Sequence, residues 1–374
     1  MRPAIVMGIM SGTSLDGVDY AVCDISRTRV RLLALWRTAF PRALQARLHS
    51  AARGAATSWE LAQLHHDLGR FYAARAKPPA RCPRPELAGL HGQTVFHNPD
   101  RPSPATLQIG EPGYLVEKFR IPVVSNFRAA DIAAGGQGAP LATAFHVRVF
   151  GRRGCHVCVN NLGGISNVTS IDWRRGTDPG VLAFDTGPAN VLVDLAMRRF
   201  TGGRLSYDRD GAWAAQGRVS EPLLCRWMEH SFFRKPPPKS TGRELFGEPF
   251  LNPALSLAGR RGVSNEDFVA TLTEFTARSI AENYRRHFKS PPDSVVLSGG
   301  GARNATLVAA IHRSLRSVNA SVELLTSAGL GWPVESIEPA AFAYLAWLRV
   351  RGQNGNMPAT TGARAGVLCG QIAG

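Results

Sequence analysis

The chain has 374 residues, 44% of them hydrophobic, with a formal charge of +16 and six cysteines. Two ordinary hydrophobic cores fit that length, no apolar run approaches the roughly 20 residues that span a bilayer, and no signal-peptide pattern opens the chain, so a cytoplasmic protein without membrane partners is expected. The scattered cysteines argue against a disulfide framework, and the charge is spread over single and paired arginines with only five lysines, so no nucleic-acid partner is expected.

Residues 4–10 and 18–25 read as two strands joined by a polar, Gly-rich connection whose Asp16-Gly17 is a strong turn dipeptide. Residues 29–40 continue as a third strand, and 43–53 and 59–76 show helical spacing of apolar residues. After a Pro-rich linker, residues 86–90 form a short strand ending in His91-Gly92-Gln93-Thr94, followed by strands at 106–109 and 121–124 around a helix at 113–119. Polar residues at strand ends mark the place where open α/β sheets bind ligands. His91 and Gln93 suit hydrogen bonding to a sugar or to buried backbone, and Arg128 and Asp131, near the Gly135–Gly138 turn, suit polar substrate groups or each other.

The pattern then restarts. Residues 157–160 read as a strand, 162–167 as a Gly-rich turn and 168–172 as a returning strand, with Cys155 and Cys158 as strand cysteines rather than metal ligands. This echo of residues 4–25 implies an internal duplication in which each half carries a Gly- and hydroxyl-bearing hairpin. Gly8, Ser11, Gly12, Thr13 and Ser14 have the backbone freedom and hydroxyls that phosphate binding demands. A strand at 181–184 places Asp185 at its end, ahead of a helix over 189–200, which makes it the first choice for a general base or else a helix cap. A helix over 266–288 and a strand at 294–297 lead to Ser298-Gly299-Gly300-Gly301-Ala302-Arg303-Asn304, a strand-to-helix turn suited to a nucleotide. Asp208 and Asp210 read as a turn and helix cap rather than a calcium loop, and Glu338 as a first-turn carboxylate.

Seven segments in order, GIMSGTSLDGVD (8–19), HGQT (91–94), QIGEP (108–112), SNFRAADIAAGGQGAPL (125–141), NLGGISN, FDTGPAN and SGGGARN, resemble the bacterial anhydro-N-acetylmuramic acid kinases of the actin, sugar-kinase and heat-shock-chaperone ATPase superfamily. The resemblance implies an α/β chain of two ribonuclease-H-like, actin-like ATPase domains with a nucleotide cleft between them. The domains are expected at 1–125, with the tail 353–374 possibly returning to it, and at 126–352. It also implies a homodimer that uses ATP and Mg²⁺ to open 1,6-anhydro-N-acetylmuramic acid with water and phosphorylate O6, in peptidoglycan recycling. On matching positions, Asp185 resembles the base that activates water. Ser11, Gly12, Thr13, Ser14, Leu15, Asp16, Gly17, Asn161, Gly163, Gly164, Gly299, Gly300, Gly301 and Asn304 resemble nucleotide contacts. His91, Gln93, Gln108, Arg128, Asp131 and Glu338 resemble the substrate side. Pro339 departs from the small residue expected after that glutamate, with Glu335 as a nearby substitute. A superfamily kinase acting on an intact sugar or small carboxylate, and a non-metabolic ATPase switch, are the alternatives.

Overall fold

A computed structural model describes residues 3–12, 14–99 and 102–374. Thr13, expected among the phosphate contacts, lies outside the described residues. The chain divides into two compact units, one formed by Met1–Val149 with Gly331–Gly374 and the other by Phe150–Leu330. The division falls later than the 125/126 boundary expected from the sequence, and the returning segment starts at Gly331 rather than at residue 353.

The first unit holds a seven-stranded sheet. Strands β1 (Ala4–Ser11), β2 (Gly17–Ile25) and β3 (Val30–Ala39) form an antiparallel meander. Strand β4 (Leu87–Asn98) runs parallel to β1 and to β6 (Val123–Ser125), β5 (Ala105–Ile109) folds back on β4, and the C-terminal strand Gln371–Ala373 pairs with β6. The order 3-2-1-4-6, with only the second strand of the core reversed against its parallel neighbours, is the ribonuclease-H-like arrangement. β1 and β2 are almost wholly buried, as expected where both faces of a sheet are covered. Two adjacent glycines explain how the returning segment joins this unit. Gly8 and Gly89 are register partners on β1 and β4, and a Cβ on Gly8 would lie 1.7 Å from Pro339 O and one on Gly89 2.2 Å from Phe342 O. The Ile337–Val350 helix therefore rests backbone against backbone on the sheet. Gly8 thus serves packing rather than the phosphate binding its place in the motif suggests. Pro339 in the first helical turn removes an N–H that has no helical partner.

β4 runs eight residues beyond the end of the strand expected at 86–90, through a bulge near Gly92, whose φ of +78° suits glycine. His91 and Gln93 therefore lie inside a strand and not at its end. Asp131 is completely buried and saturated: Oδ2 accepts from Gly138 N (2.7 Å), and Oδ1 accepts from Asn356 Nδ2 (2.6 Å) and Thr361 Oγ1 (2.7 Å). No carboxylate oxygen is left for a substrate, so the sequence expectation for Asp131 gives way to a brace between the Gly135–Gly138 turn and the C-terminal segment. Asp131→Ala is expected to cost on the order of 3 kcal/mol in a denaturant titration, because three buried donors lose their acceptor, and a loss below ~1 kcal/mol would mean that Asp131 is not a brace.

The second unit repeats the plan. Strands β7 (His156–Leu162), β8 (Ile165–Asp172) and β9 (Gly180–Pro188) are antiparallel, and β10 (Ser294–Ser298) and β11 (Glu323–Thr326) run parallel to β7, giving the order β11-β10-β7-β8-β9. The long helix Asn265–His287 opens with Ser264 Oγ accepting from Asp267 N (3.1 Å), a cap that stabilises by about 1 kcal/mol. It buries Phe268, Leu272, Phe275 and Ile280, while Asp208 caps a turn through Trp213 N and Ala214 N as its sequence suggests. Among the described residues no helix is long and apolar enough to cross a membrane.

Candidate active site

In the first unit the chain leaves β1 into the turn preceding β2. Ser11 is buried, with Oγ in hydrogen bonds to Tyr72 OH (2.8 Å) and Gly92 O (3.0 Å), so its hydroxyl locks the base of the turn instead of facing a phosphate. Gln93 is wholly buried and its Nε2 donates to Gly12 O (3.1 Å), fixing the turn from β4. Leu15 adopts φ 56°, a left-handed conformation that is rare for a leucine, with its side chain buried and its carbonyl accepting from Gln45 Nε2 (3.0 Å). Ser14 Oγ donates to Asp16 Oδ1 (2.7 Å), and Asp16 pairs with Arg37 (2.7 Å); partial burial raises its carboxyl pKa, but Ser14 and Arg37 outweigh it and hold the carboxyl below its ordinary value. Gly17 is packed under Thr38 O, 2.6 Å from where a Cβ would be, whereas a Cβ on Gly12 would meet nothing closer than Ser14 Oγ at 3.9 Å.

Beside this turn, His91 and Arg128 form a unit that the sequence did not reveal. His91 Nδ1 donates to Gly92 O (2.8 Å), which leaves Nε2 as an acceptor for Arg128 Nε (3.1 Å) and Nη2 (2.9 Å). Burial and the adjacent guanidinium push the imidazole well below its usual pKa, consistent with a neutral ring. Arg128 Nη1 also donates to Gly138 O (2.7 Å). None of these bonds goes to a carboxylate; burial lowers the guanidinium's pKa and the field of Glu338 opposes that fall. Glu338 is exposed at the start of its helix; surrounding protein raises its carboxyl pKa and Arg128 opposes that rise. Gln108 is engaged on the β4–β5 hairpin through Thr106 Oγ1 (2.7 Å).

Asp19 is the residue that sequence reasoning passed over. Burial lifts its carboxyl pKa to about 6; Arg37 opposes this, and the negative fields of Asp16, Glu338 and Glu335 add to it. Its Oδ1 is buried without a hydrogen-bond partner. The available signal was a lone charge in the apolar run Val18–Val22.

In the second unit the β7–β8 turn is held from behind. Asn190 Nδ2 donates to Leu162 O (2.9 Å) and Gly163 O (2.8 Å), and the backbone N–H groups of Ala189 and Val191 donate to Gly164 O. The Ser298–Asn304 turn lies against the same strand end: a Cβ on Gly299, whose φ is +79°, would fall 2.5 Å from Asn161 Oδ1, and one on Gly301 2.8 Å from Leu162 Cβ. Those two glycines are required by packing. Gly163, Gly164 and Gly300 are not, since added Cβ atoms would come no nearer than 3.5 Å, 3.7 Å and beyond 4 Å to any neighbour. Asn304 accepts from Leu307 N (2.9 Å) as a helix cap, which commits its amide oxygen.

Asp185 lies within β9, which runs to Pro188, four residues beyond the strand end at 184 expected from the sequence, and it pairs in register with Asn167. It does not cap the following helix. Its main-chain N–H donates to Lys239 O (3.0 Å), and its Oδ2 accepts from Thr241 N (2.8 Å). Burial lifts its carboxyl pKa to about 6, with the Thr241 N–H lowering it and Glu244 raising it. A half-buried carboxylate of that basicity takes a proton from water far more readily than an ordinary aspartate.

Comparison with known proteins matches residues 4–374 to the family model described as anhydro-N-acetylmuramic acid kinase. Proteins named anhydro-N-acetylmuramic acid kinase from Acaryochloris marina and from a Synechocystis species are 42% and 41% identical, covering 98% of this chain and 99% and 97% of their own. Among solved structures, a ROK family glucokinase from Streptomyces griseus in complex with glucose and AMPPNP is 16% identical, with a TM-score of 0.43 over 92% of this chain and 99% of its own.

Proposed function

The chain belongs to the anhydro-N-acetylmuramic acid kinase family, and from that premise we propose how its residues serve an ATP-dependent opening and phosphorylation of 1,6-anhydro-N-acetylmuramic acid. The enzyme is a phosphotransferase of cell-wall recycling. The observation that carries the residue-level reading is Asp185, a carboxylate pinned through one oxygen and made basic by its surroundings.

Deprotonated Asp185 accepts a proton from water as the water oxygen bonds to the anomeric carbon. The C1–O6 bond breaks, and O6 attacks the γ-phosphorus while the bond to the ADP oxygen breaks. The products are N-acetylmuramic acid 6-phosphate and ADP. Charge grows on O6 and then spreads over the phosphoryl oxygens, so backbone N–H groups near those oxygens lower the barrier. Gly12, Gly163, Gly164 and Gly300 are glycines that the protein's own packing does not demand, which supports close approach of the triphosphate at these turns. Arg128, held by neutral His91 and in no ion pair among the described residues, offers its charge to the carboxylate of the sugar's lactyl group, and Glu338 offers an acceptor to its hydroxyls.

Among the described residues no group of three or more His, Cys, Asp or Glu side chains is arranged to hold a metal ion. Kinase Mg²⁺ needs only one or two carboxylates beside the substrate phosphates, and Asp19, whose buried Oδ1 makes no hydrogen bond and has Arg37 Nε 3.7 Å away, with Asp16, Glu335 and Glu338 adding negative field, would fit that need. Mg²⁺ bound there with ATP supplies neutralisation of the phosphoryl charge. A coupled assay of ADP release tests the assignment of substrate: release should require the anhydro sugar, and equal release with intact N-acetylmuramic acid, or with no sugar, would refute it.

A further inference from the structure

The segment that holds Asp185 has a construction of its own. Lys239, Ser240 and Thr241 run beside β9 and grip the same residue twice, Lys239 O taking the Asp185 N–H (3.0 Å) and Thr241 N donating to Oδ2 (2.8 Å). Lys239 anchors the segment in an unusual way. Its side chain is buried, and its Nζ donates to Phe232 O (3.3 Å), sits 3.3 Å from His287 Nε2, and lies over the rings of Phe232 (4.8 Å) and Phe184 (5.7 Å). A lysine buried among aromatic rings without a carboxylate is costly and holds its place only through these contacts. Thr241 Oγ1 is buried and makes no hydrogen bond, although it belongs to the residue whose N–H touches the carboxylate. Buried hydroxyls are nearly always satisfied by protein or by water.

We infer that Lys239–Thr241 is a positioning strap that commits Oδ2 of Asp185 to the Thr241 N–H, so that Oδ1 is the oxygen presented to the attacking water and the Thr241 hydroxyl is a second partner for that water. The inference rests on Asp185 being the base. The strap explains why a carboxylate in the middle of a strand is held rigidly in one orientation: backbone and side chain are fixed by the same three residues, and Lys239 fixes those residues to the aromatic floor. Because Oδ2 keeps one strong donor, the strap also limits how far burial and Glu244 raise the carboxyl pKa.

The test is the pH dependence of kcat for the full-length enzyme and three variants, each checked for folding by circular dichroism. The groups facing Asp185 are the Thr241 N–H and Glu244, and those facing Lys239 are His287 and Arg286. Thr241→Pro deletes the N–H and should lower the high-pH plateau of kcat by about tenfold or more and move the acid limb to higher pH, since the charged carboxylate loses its donor. Thr241→Ala keeps the N–H, so its acid limb should stay within about 0.3 of a pH unit while the plateau falls roughly three- to tenfold from loss of the hydroxyl. Lys239→Met keeps the stem and removes the anchor, and should lower the plateau by about tenfold with the KM for ATP unchanged. Loss of the lysine's charge alone would move the limb and spare the plateau. If Thr241→Pro does not fold, Lys239→Met decides. Folded Thr241→Pro or Lys239→Met enzyme with wild-type plateau and limb overturns the strap while leaving Asp185 as the base. A wild-type profile with no acid limb, together with an active Asp185→Asn enzyme, overturns both.

Discussion

Asp185→Asn is expected to lower kcat by about 10²–10⁴-fold, the range over which a positioned general base contributes, while ATP binding measured by calorimetry stays within about threefold. Asparagine keeps the size of the side chain and can still accept from Thr241 N through its carbonyl oxygen, so the strand and its strap are preserved. What disappears is a site for the proton of water. The pH dependence follows from the same carboxylate. The working form is the deprotonated one and the carboxyl pKa lies at about 6, so activity should be full above that value and fall as the pH drops through it. An ordinary aspartate would hold activity down to about pH 4. Turnover of the Asn variant within about tenfold of wild type would remove Asp185 from the proton transfer and leave it a structural member of β9.

Gly8→Ala is expected to be the most damaging small substitution in the first unit, although the change adds one methyl group. The new Cβ would lie 1.7 Å from Pro339 O and 2.9 Å from Ala343 N, and both are backbone atoms of a helix that cannot rotate aside. Overpacking of a core ordinarily costs about 1–3 kcal/mol, and a clash with backbone belongs at or above the upper end. A drop in melting temperature of roughly 6 °C or more follows for a domain of this size. Gly164→Ala is the matched contrast. Its Cβ would come no nearer than Val191 Cβ at 3.7 Å, so stability should hold within about 0.5 kcal/mol while the KM for ATP rises. If the two variants exchanged phenotypes, the division between packing glycines and phosphate-facing glycines would be wrong.

That division also measures what the sequence could tell. The hairpins at 4–25 and 157–172, their duplication and the α/β alternation were legible because apolar strand residues bounded by turn residues leave a strong periodic signal. The length of β4 was not, because its continuation His91–Asn98 is polar and reads as loop until its partner β5 is known. Position within the site was the weaker part of the reading. Ser11, Gln93 and Asp131 stand in the motifs beside Gly12 and Arg128, yet their side chains turn inward and hold turns together. A polar residue that must satisfy buried backbone and one that must meet a ligand look alike in one dimension, since both require a donor or acceptor where an apolar residue would fail. Gly8 shows the same ambiguity: the residue that lets a helix touch a strand is also the one that lets a phosphate approach. The Lys239–Thr241 segment lies outside any pattern of spacing, and Asp19 shows in the sequence only as a lone charge in an apolar run. Their importance comes from strands and a loop brought together by the fold, Asp19 toward Glu338 and Thr241 toward Asp185.

In the proposed mechanism water, and not a hydroxyl already on the sugar, is the nucleophile that Asp185 activates. Turnover of 1,6-anhydro-N-acetylmuramic acid with ATP in ¹⁸O-water, followed by mass spectrometry of the product, tests it directly. One ¹⁸O atom at the C1 hydroxyl, with none in the 6-phosphate or its bridging oxygen, is the result expected when O6 leaves C1 and takes the phosphoryl group. Product phosphorylated at O6 without label at C1 would contradict hydrolytic opening and with it the role of Asp185.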